Sequence, residues 1–383
     1  MDKKSRKSII EASCKTILGN IDSHPLNWCI FPHRLVANAY VGCQHDCIYC
    51  YARWYTRKGQ VTAKINAAER LKQELEKRIE KDRPKDPVCL GSISDPYQPI
   101  EKKHQITRKM LEVCDELSYP VFIVTKSDMV MRDKDILSSL AERNLVCVNF
   151  TVTPIRKTTL AKLEPYAPNN ERRLKAMSTL TKAGVPCSIY LCPIFPFLSE
   201  PFLENFIIKA SMNGAVCCSA IFLKIRPIVW KNVEPFLKDN FPLLVSKYEE
   251  LYFKLGDRDL SKYKLPEYTY RRKTMEKVAE ICKKHNLKFT SEEFFDLWTT
   301  PYSDCVDINC WHAPTSYDIW SFVKAQNGRW IGLDEAILFV RKKFHVNDKY
   351  VEELTKYWND GIVFYGVKNV SRNKGTTVKY CII

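Results

Sequence analysis

Gly42-Cys43-Gln44-His45-Asp46-Cys47-Ile48-Tyr49-Cys50-Tyr51-Ala52-Arg53 places three cysteines in the spacing Cys-x3-Cys-x2-Cys. A 4Fe-4S cluster is normally held by four thiolates, so a compact set of three leaves one iron open to a substrate or cofactor. That favours chemistry over plain electron storage. Zinc is the competitor, because Cys and His at short spacing also build tetrahedral sites and His45 lies inside the loop. Zinc motifs usually come as two separated pairs, however, and no matching second half stands elsewhere in the chain.

Outward from this loop, residues 36 to about 225 alternate short apolar runs with amphipathic stretches. That pattern implies repeated βα units around a parallel sheet. Strands are expected at 36–41, 87–94, 120–126, 145–153, 186–194 and 217–225, with helices at 66–81, 104–117, 132–143, 169–184 and 201–213. Six such strands make an α/β fold of the partial (β/α)6 barrel kind. Right-handed crossovers put every strand's carboxyl end on one rim, and the cysteine loop directly follows the first strand. Residues 1–35 then form an N-terminal extension, and 226–313 read as a helical extension punctuated by Pro227, Pro235, Pro242 and Pro266.

Past residue 313 the pattern changes. Thr315 to Asp318 reads as a capping box opening a helix, helices follow at 333–344 and 347–359, Gly361 ends the last, and strands are expected at 362–367 and 376–381. Three helices and a hairpin make 314–383 a winged-helix-like module, with Lys368, Arg372, Lys374 and Lys379 as a basic wing.

The chain has 383 residues with 60 Lys and Arg against 44 Asp and Glu, a net charge of +16. Such a surface attracts polyanions, DNA or RNA among them, although a merely solvated basic surface has the same composition. Its 16 cysteines are too dilute for a disulfide scaffold. Cys147, Cys187, Cys192, Cys217 and Cys218 sit in apolar runs where a reduced thiol packs as a small hydrophobe. A reducing, cytoplasmic compartment is expected. The N-terminus lacks the apolar core of a signal peptide, and no run is long enough to span a membrane. Neither phosphate-cradling glycine loop occurs, which argues against nucleotide chemistry of those kinds. Cys305, Cys310 and His312 are metal-capable neighbours in no strong zinc pattern, and packing at the domain junction is their other reading.

The cysteine triad after a first barrel strand resembles the radical S-adenosylmethionine (SAM) superfamily. Asn38-Ala39-Tyr40, Tyr51-Ala52-Arg53, Ser94-Asp95-Pro96-Tyr97-Gln98-Pro99, Thr125-Lys126-Ser127 and Arg132-Asp133 narrow the likeness to the spore photoproduct lyase-like, or DNA repair photolyase-like, enzymes over about residues 36–200. The resemblance implies that Cys43, Cys47 and Cys50 hold a 4Fe-4S cluster whose open iron binds S-adenosyl-L-methionine. An electron from the cluster, supplied by a donor such as ferredoxin or flavodoxin, then cleaves this cofactor to a 5′-deoxyadenosyl radical. It further implies that Tyr49 lies beside the adenine, that Ser92, Ser94 and Lys126 face the cofactor's polar end, and that Thr151 and Thr153 reach its ribose. Each has a plainer reading: loop packing for Tyr49, a strand-end lysine reaching solvent for Lys126, and a turn cap for Asp95.

One departure stands out. Family members that repair thymine dimers return a hydrogen from a cysteine where this chain has Ser92. The nearest thiol, Cys89, is the remaining hydrogen-donor candidate, but strand alternation faces it away from the partner positions of Ser92 and it reads as core filler. Lyase activity on nucleic acid, radical modification of RNA, protein or peptide, and a non-catalytic iron–sulfur sensor that binds nucleic acid all remain open from the sequence.

Overall fold

Valine-rich runs and amphipathic helices assemble around one eight-stranded sheet in the computed structural model, which describes residues 7–20, 35–56, 59–82, 85–253, 263–291, 294, 297, 316–343, 346, 348–360, 370–373 and 377–382. The first seven strands are β1 (Ser8–Ala12), β2 (Leu18–Asn20), β3 (Leu35–Ala37), β4 (Tyr40–Val41), β5 (Gln60–Lys64), β6 (Val88–Leu90) and β7 (Val121–Thr125). They are followed by β8 (Val146–Val152), β9 (Cys187–Ile194), β10 (Cys217–Phe222), β11 (Lys288–Ser291), β12 (Ile331–Gly332), β13 (Val370–Asn373) and β14 (Lys379–Ile382). The main sheet runs β11-β10-β9-β8-β7-β6-β3-β2. All its pairs are parallel except β2 with β3.

The six expected barrel strands are β3 and β6 to β10, in that order in the sheet. The helices between them, Ala67–Glu80, Ile106–Glu116, Lys134–Glu142, Asn170–Thr181 and Leu203–Met212, also form close to the expected bounds. Their apolar faces meet the outer face of the sheet in the largest core cluster, to which β8 gives Val146, Val148, Phe150 and Val152. The opposite, interior face carries Cys89, Phe122, Cys147 and Cys217 packed with Val36 and Val124.

Several expectations are corrected. The run 36–41 divides: β3 belongs to the main sheet, whereas β4 joins β1 and β5 in a small sheet beside it. The run 87–94 stops at Leu90, because Gly91 has φ +103° and a Cβ there would lie 2.2 Å from the Val124 carbonyl oxygen. Ser92 and Ser94 therefore sit in a turn. The stretch 226–300 is not purely helical. Helices Pro227–Asn240, Pro242–Tyr252 and Tyr268–Lys284 form, but β11 then pairs with β10 and widens the parallel sheet. A strand of four residues is too short to show a period of its own. Cys89 lies on the interior face, where register aligns it with Val36 and Phe122, two-residue steps below Lys126. It is 1% exposed, as core filler would be.

The C-terminal residues have a core of their own. Helices Ser316–Lys324, Leu333–Lys343 and Asp348–Asp360 pack against the sheet β12-β14-β13 around Ile319, Trp320, Val340, Leu354, Trp358 and Tyr380. The Trp358 indole donates to the Val378 carbonyl at 2.9 Å. Arg372 does not project as a free wing residue, because its guanidinium folds back onto the Asn359 carbonyl and the Tyr380 ring. Cys305, Cys310, His312, Thr315, Gly361, the expected strand 362–367, Lys368 and Lys374 lie outside the described residues. Among the described residues, no helix is long and apolar enough to cross a membrane.

Candidate active site

The cysteine loop, which follows β3 and the short β4, lies at the carboxyl edge of the parallel strands, where the segments after β6, β7, β8 and β9 also emerge. Its backbone is clamped at several points. Lys7 donates to the Cys43 carbonyl at 2.6 Å and pairs with Asp46 at 2.8 Å. Arg53 donates to the carbonyls of Cys47 at 3.0 Å and Asp46 at 2.8 Å. Gln98 reaches in from the turn after β6, accepting from the Gln44 amide at 2.8 Å and donating to the Gly42 carbonyl at 3.1 Å. At Gly42 (φ +82°) a Cβ would lie 2.5 Å from the Gln60 carbonyl, so only glycine allows this approach to β5.

Cys47 and Tyr49 are buried against Leu160, Leu163, Phe195, Ile225 and Val229, so helices Lys157–Leu163 and Pro227–Asn240 cover this side of the loop. Cys43 and Cys50 are half-buried. Burial raises the pKa of Cys47 and Cys50 above the ordinary thiol range. Burial acts the same way on Cys43, but the adjacent His45 more than offsets it and the net shift is downward. His45 itself is 2% exposed, with Nδ1 3.4 Å from Asp95 Oδ2. Burial opposes its charge, yet Asp95 and Cys43 prevail and hold it at about 10. Among the described residues, no three His, Cys, Asp or Glu side chains converge on one point as a single metal ion requires. His45 thus sits between Asp95 and Cys43, and among the described residues it joins no three-ligand set.

Asp95 does cap its turn, accepting from the Tyr97 amide at 2.9 Å, but it also ties that turn to β7. It accepts from Thr125 Oγ1 at 2.8 Å and from the Lys126 amide at 2.7 Å. Ser94 is 5% exposed and donates its hydroxyl to the Tyr40 carbonyl at 2.9 Å, so it holds β4 in place. Ser92 accepts from Asn38 at 2.9 Å, and its carbonyl accepts from the Tyr51 hydroxyl. Tyr40, Arg132 and Asp133, read as family motif residues, form a buried clamp centred on Glu101.

Lys126 directly follows β7, with its ammonium 5.8 Å from the centre of the Tyr49 ring. Among the described residues it makes no hydrogen bond or ion pair. Burial disfavours its charge, but Glu164 and Cys47 outweigh that and its pKa is raised. The Tyr49 hydroxyl donates to Glu164 and lies 3.1 Å from Thr153 Oγ1, while its ring meets Phe195 edge-on at 5.5 Å. Thr153 donates to Glu164 at 2.7 Å, so its hydroxyl is held below the rim. Thr151 is buried on the interior side of β8, and its carbonyl accepts from Arg173 at 2.9 Å.

A family model described as the Radical SAM superfamily matches residues 38–206, the segment that holds the three cysteines, Tyr49, Asp95, Lys126 and Glu164. An uncharacterized protein of Methanocaldococcus jannaschii is 33% identical over 213 residues, which is 55% of this chain and 77% of that one.

The chain belongs to the radical SAM superfamily.

Membership makes it a radical SAM enzyme and implies S-adenosylmethionine and an iron–sulfur cluster as cofactors. Its fold is similar to spore photoproduct lyase complexed with dinucleoside spore photoproduct. That likeness has a TM-score of 0.59 at 14% identity, covering 74% of this chain and 81% of the other. A doubly substituted spore photoproduct lyase with bound AdoMet and the same dinucleoside matches with a TM-score of 0.55 at 14% identity over the same shares. At such identity the likeness is one of fold.

Two residues of this radical SAM enzyme escaped the sequence reading. Glu164 follows the short helix Lys157–Leu163, and Arg173 lies on Asn170–Thr181. They form a buried ion pair under Tyr49, at 1% and 0% side-chain exposure. Nothing in their spacing marks them, since a Glu and an Arg nine positions apart in helical stretches read as solvated surface. His45 was read as a zinc candidate, and its pairing with Asp95, far away in sequence, was equally hidden.

Proposed function

We propose that this radical SAM enzyme holds a 4Fe-4S cluster on Cys43, Cys47 and Cys50, binds S-adenosylmethionine beside it, and acts on nucleic acid. Reductive cleavage of the bound cofactor to a 5′-deoxyadenosyl radical is the chemistry that the cluster would supply. The observation that carries this reading is a clamped, partly buried loop of three cysteines beside the ammonium of Lys126, at the carboxyl rim of a parallel sheet. Three thiolates at this spacing suit a cluster with one open iron, because each thiolate of a cluster meets its own iron.

In this reading Lys126 pairs with the cofactor's carboxylate, a charge-assisted contact strengthened by the apolar wall behind it. Tyr49 offers its ring to the adenine while its hydroxyl stays anchored. Ser94 and Asp95 shape the turn, Ser92 supports it through Asn38, and Thr151 lines the ribose side. Ser92 in place of a cysteine leaves no thiol at that point, so dimer repair by the route of the lyases is not part of the proposal. The net charge of +16 supports nucleic acid as substrate class. The C-terminal order of helix, strand, two helices and two strands supports a winged-helix-like module that presents it.

The test is anaerobic. Iron and sulfide are reconstituted into the full chain, absorption and paramagnetic resonance spectra are recorded, and 5′-deoxyadenosine is assayed after dithionite and S-adenosylmethionine are added. Wild type should form it, and Cys43→Ala, Cys47→Ala and Cys50→Ala should each abolish it. Undiminished product in any of the three overturns the ligand assignment. A cluster without turnover, even with DNA or RNA present, favours the sensor.

A further inference from the structure

Three charges lie under the cysteine loop, Glu164 and Arg173 buried and Lys126 half-buried, and the first two neutralise each other. Glu164, 3% exposed, uses Oε2 to accept from Arg173 Nη2 and Oε1 to accept from both Thr153 and the Tyr49 hydroxyl. Arg173, fully buried, spends its other donors on fixed backbone: Nη1 on the Thr151 carbonyl at 2.9 Å and Nε on the Pro168 carbonyl at 2.9 Å. The carboxylate is therefore held from the β8 end and from helix Asn170–Thr181 together. It passes that rigidity to one side chain of the cysteine loop, Tyr49, the residue before Cys50.

A buried ion pair is weak evidence for stability, because desolvation offsets much of its attraction and well-packed apolar residues often serve as well. Its place beneath the loop gives it another use. With the charge of Glu164 matched by Arg173, the ammonium of Lys126 over the Tyr49 ring is left as the cation of this cluster of side chains without a hydrogen-bonded partner. Without Glu164, two cations would face each other across Tyr49 and the tyrosine would lose its anchor.

We propose that Glu164, neutralised by Arg173, is a positioning residue for the cofactor pocket: it clamps the Tyr49 hydroxyl, and so fixes the ring over which Lys126 presents a single cation to the carboxylate of S-adenosylmethionine. This rests on the cofactor reading given above, and it assigns to an ion pair below the pocket the task of ordering two groups that touch the cofactor.

The experiment measures the dissociation constant of S-adenosylmethionine by equilibrium dialysis, with the full-length, cluster-loaded chain and no reductant. Wild type, Glu164→Gln, Tyr49→Phe and the double variant are compared, with iron content and far-ultraviolet circular dichroism recorded for each. Glu164→Gln and Tyr49→Phe should each weaken binding about ten-fold, the usual scale for a supporting contact. The double variant should be no weaker than the worse single one, because both substitutions break the same clamp. Glu164→Asp, which keeps the charge, should recover part of the loss.

Binding as tight as wild type in Glu164→Gln overturns the inference. So do losses that multiply in the double variant, since a residue that only supports the fold would act independently of the Tyr49 hydroxyl. Should Glu164→Gln fail to fold with Arg173 left unpaired, Glu164→Gln/Arg173→Met removes both charges and the cycle with Tyr49→Phe is repeated from it. Wild type that takes up a cluster but binds no S-adenosylmethionine would instead sink the cofactor reading itself.

Discussion

Glu164 also makes the acid limb of stability a local question. Burial alone would raise its pKa, but the Arg173 guanidinium and the Lys126 ammonium prevail and hold the carboxyl below the ordinary glutamate range. A folded pKa lower than the unfolded one adds stability that is present above the ordinary glutamate value and is lost as pH falls through the folded value. Thermal unfolding of wild type and Glu164→Gln, followed from about pH 7 down to about pH 3, should therefore converge as the pH falls. A gap that stays constant would mean that the carboxyl titrates as it does in the unfolded chain. Lys126 answers to the same carboxylate with the opposite charge, which offsets its partial burial and favours the protonated form.

At the scale of elements, the turn after β6 does most to build the site. It carries Ser92, Ser94 and Gln98, bonded to Asn38, Tyr40 and Gly42 along the strand that leads into the cysteine loop, and Asp95, bonded to Lys126 at the end of β7. Gly91 opens it by letting the backbone pass the end of β7 with no side chain between them. Gly91→Ala should cost about 2 kcal/mol from backbone strain, read as a lower midpoint in urea, and the close carbonyl adds to that. Because the same turn holds Gln44 and Gly42, iron uptake by Gly91→Ala should fall as well; full uptake would separate the turn from the cysteine loop. The alternation that announced β6 was real, but it did not show where the strand ends, since Ser-Ile-Ser continues the period of two while the backbone has already turned.

At the scale of the whole molecule, a largely parallel sheet with the cysteine loop at its edge is joined in one chain to a C-terminal unit with a separate core. With a net charge of +16, binding to DNA or RNA should weaken steeply between low and physiological salt, because phosphate neutralisation releases counterions. A gel shift over that salt range reads it directly. Binding indifferent to salt, or none at low salt, would count against nucleic acid as the substrate class. Tyr190, on β9, packs against the C-terminal core, so the two units meet at the barrel's own sheet.

The sequence by itself determined the loop, the order of the parallel strands and the helices between them. Spacing within Cys43-x3-Cys47-x2-Cys50 is local, and an apolar period survives in any window that contains it. It also led to Lys126 at a strand end on the rim. Only the tertiary structure decided which groups support these: the His45 and Asp95 contact, the Glu164 and Arg173 pair under Tyr49, the β11 edge, and the interior face on which Cys89 lies. Those choices join residues tens of positions apart whose types are ordinary where they stand. Burial is what turns a surface-like glutamate and arginine into an anchor, and burial is a property of the packed chain that no short window records.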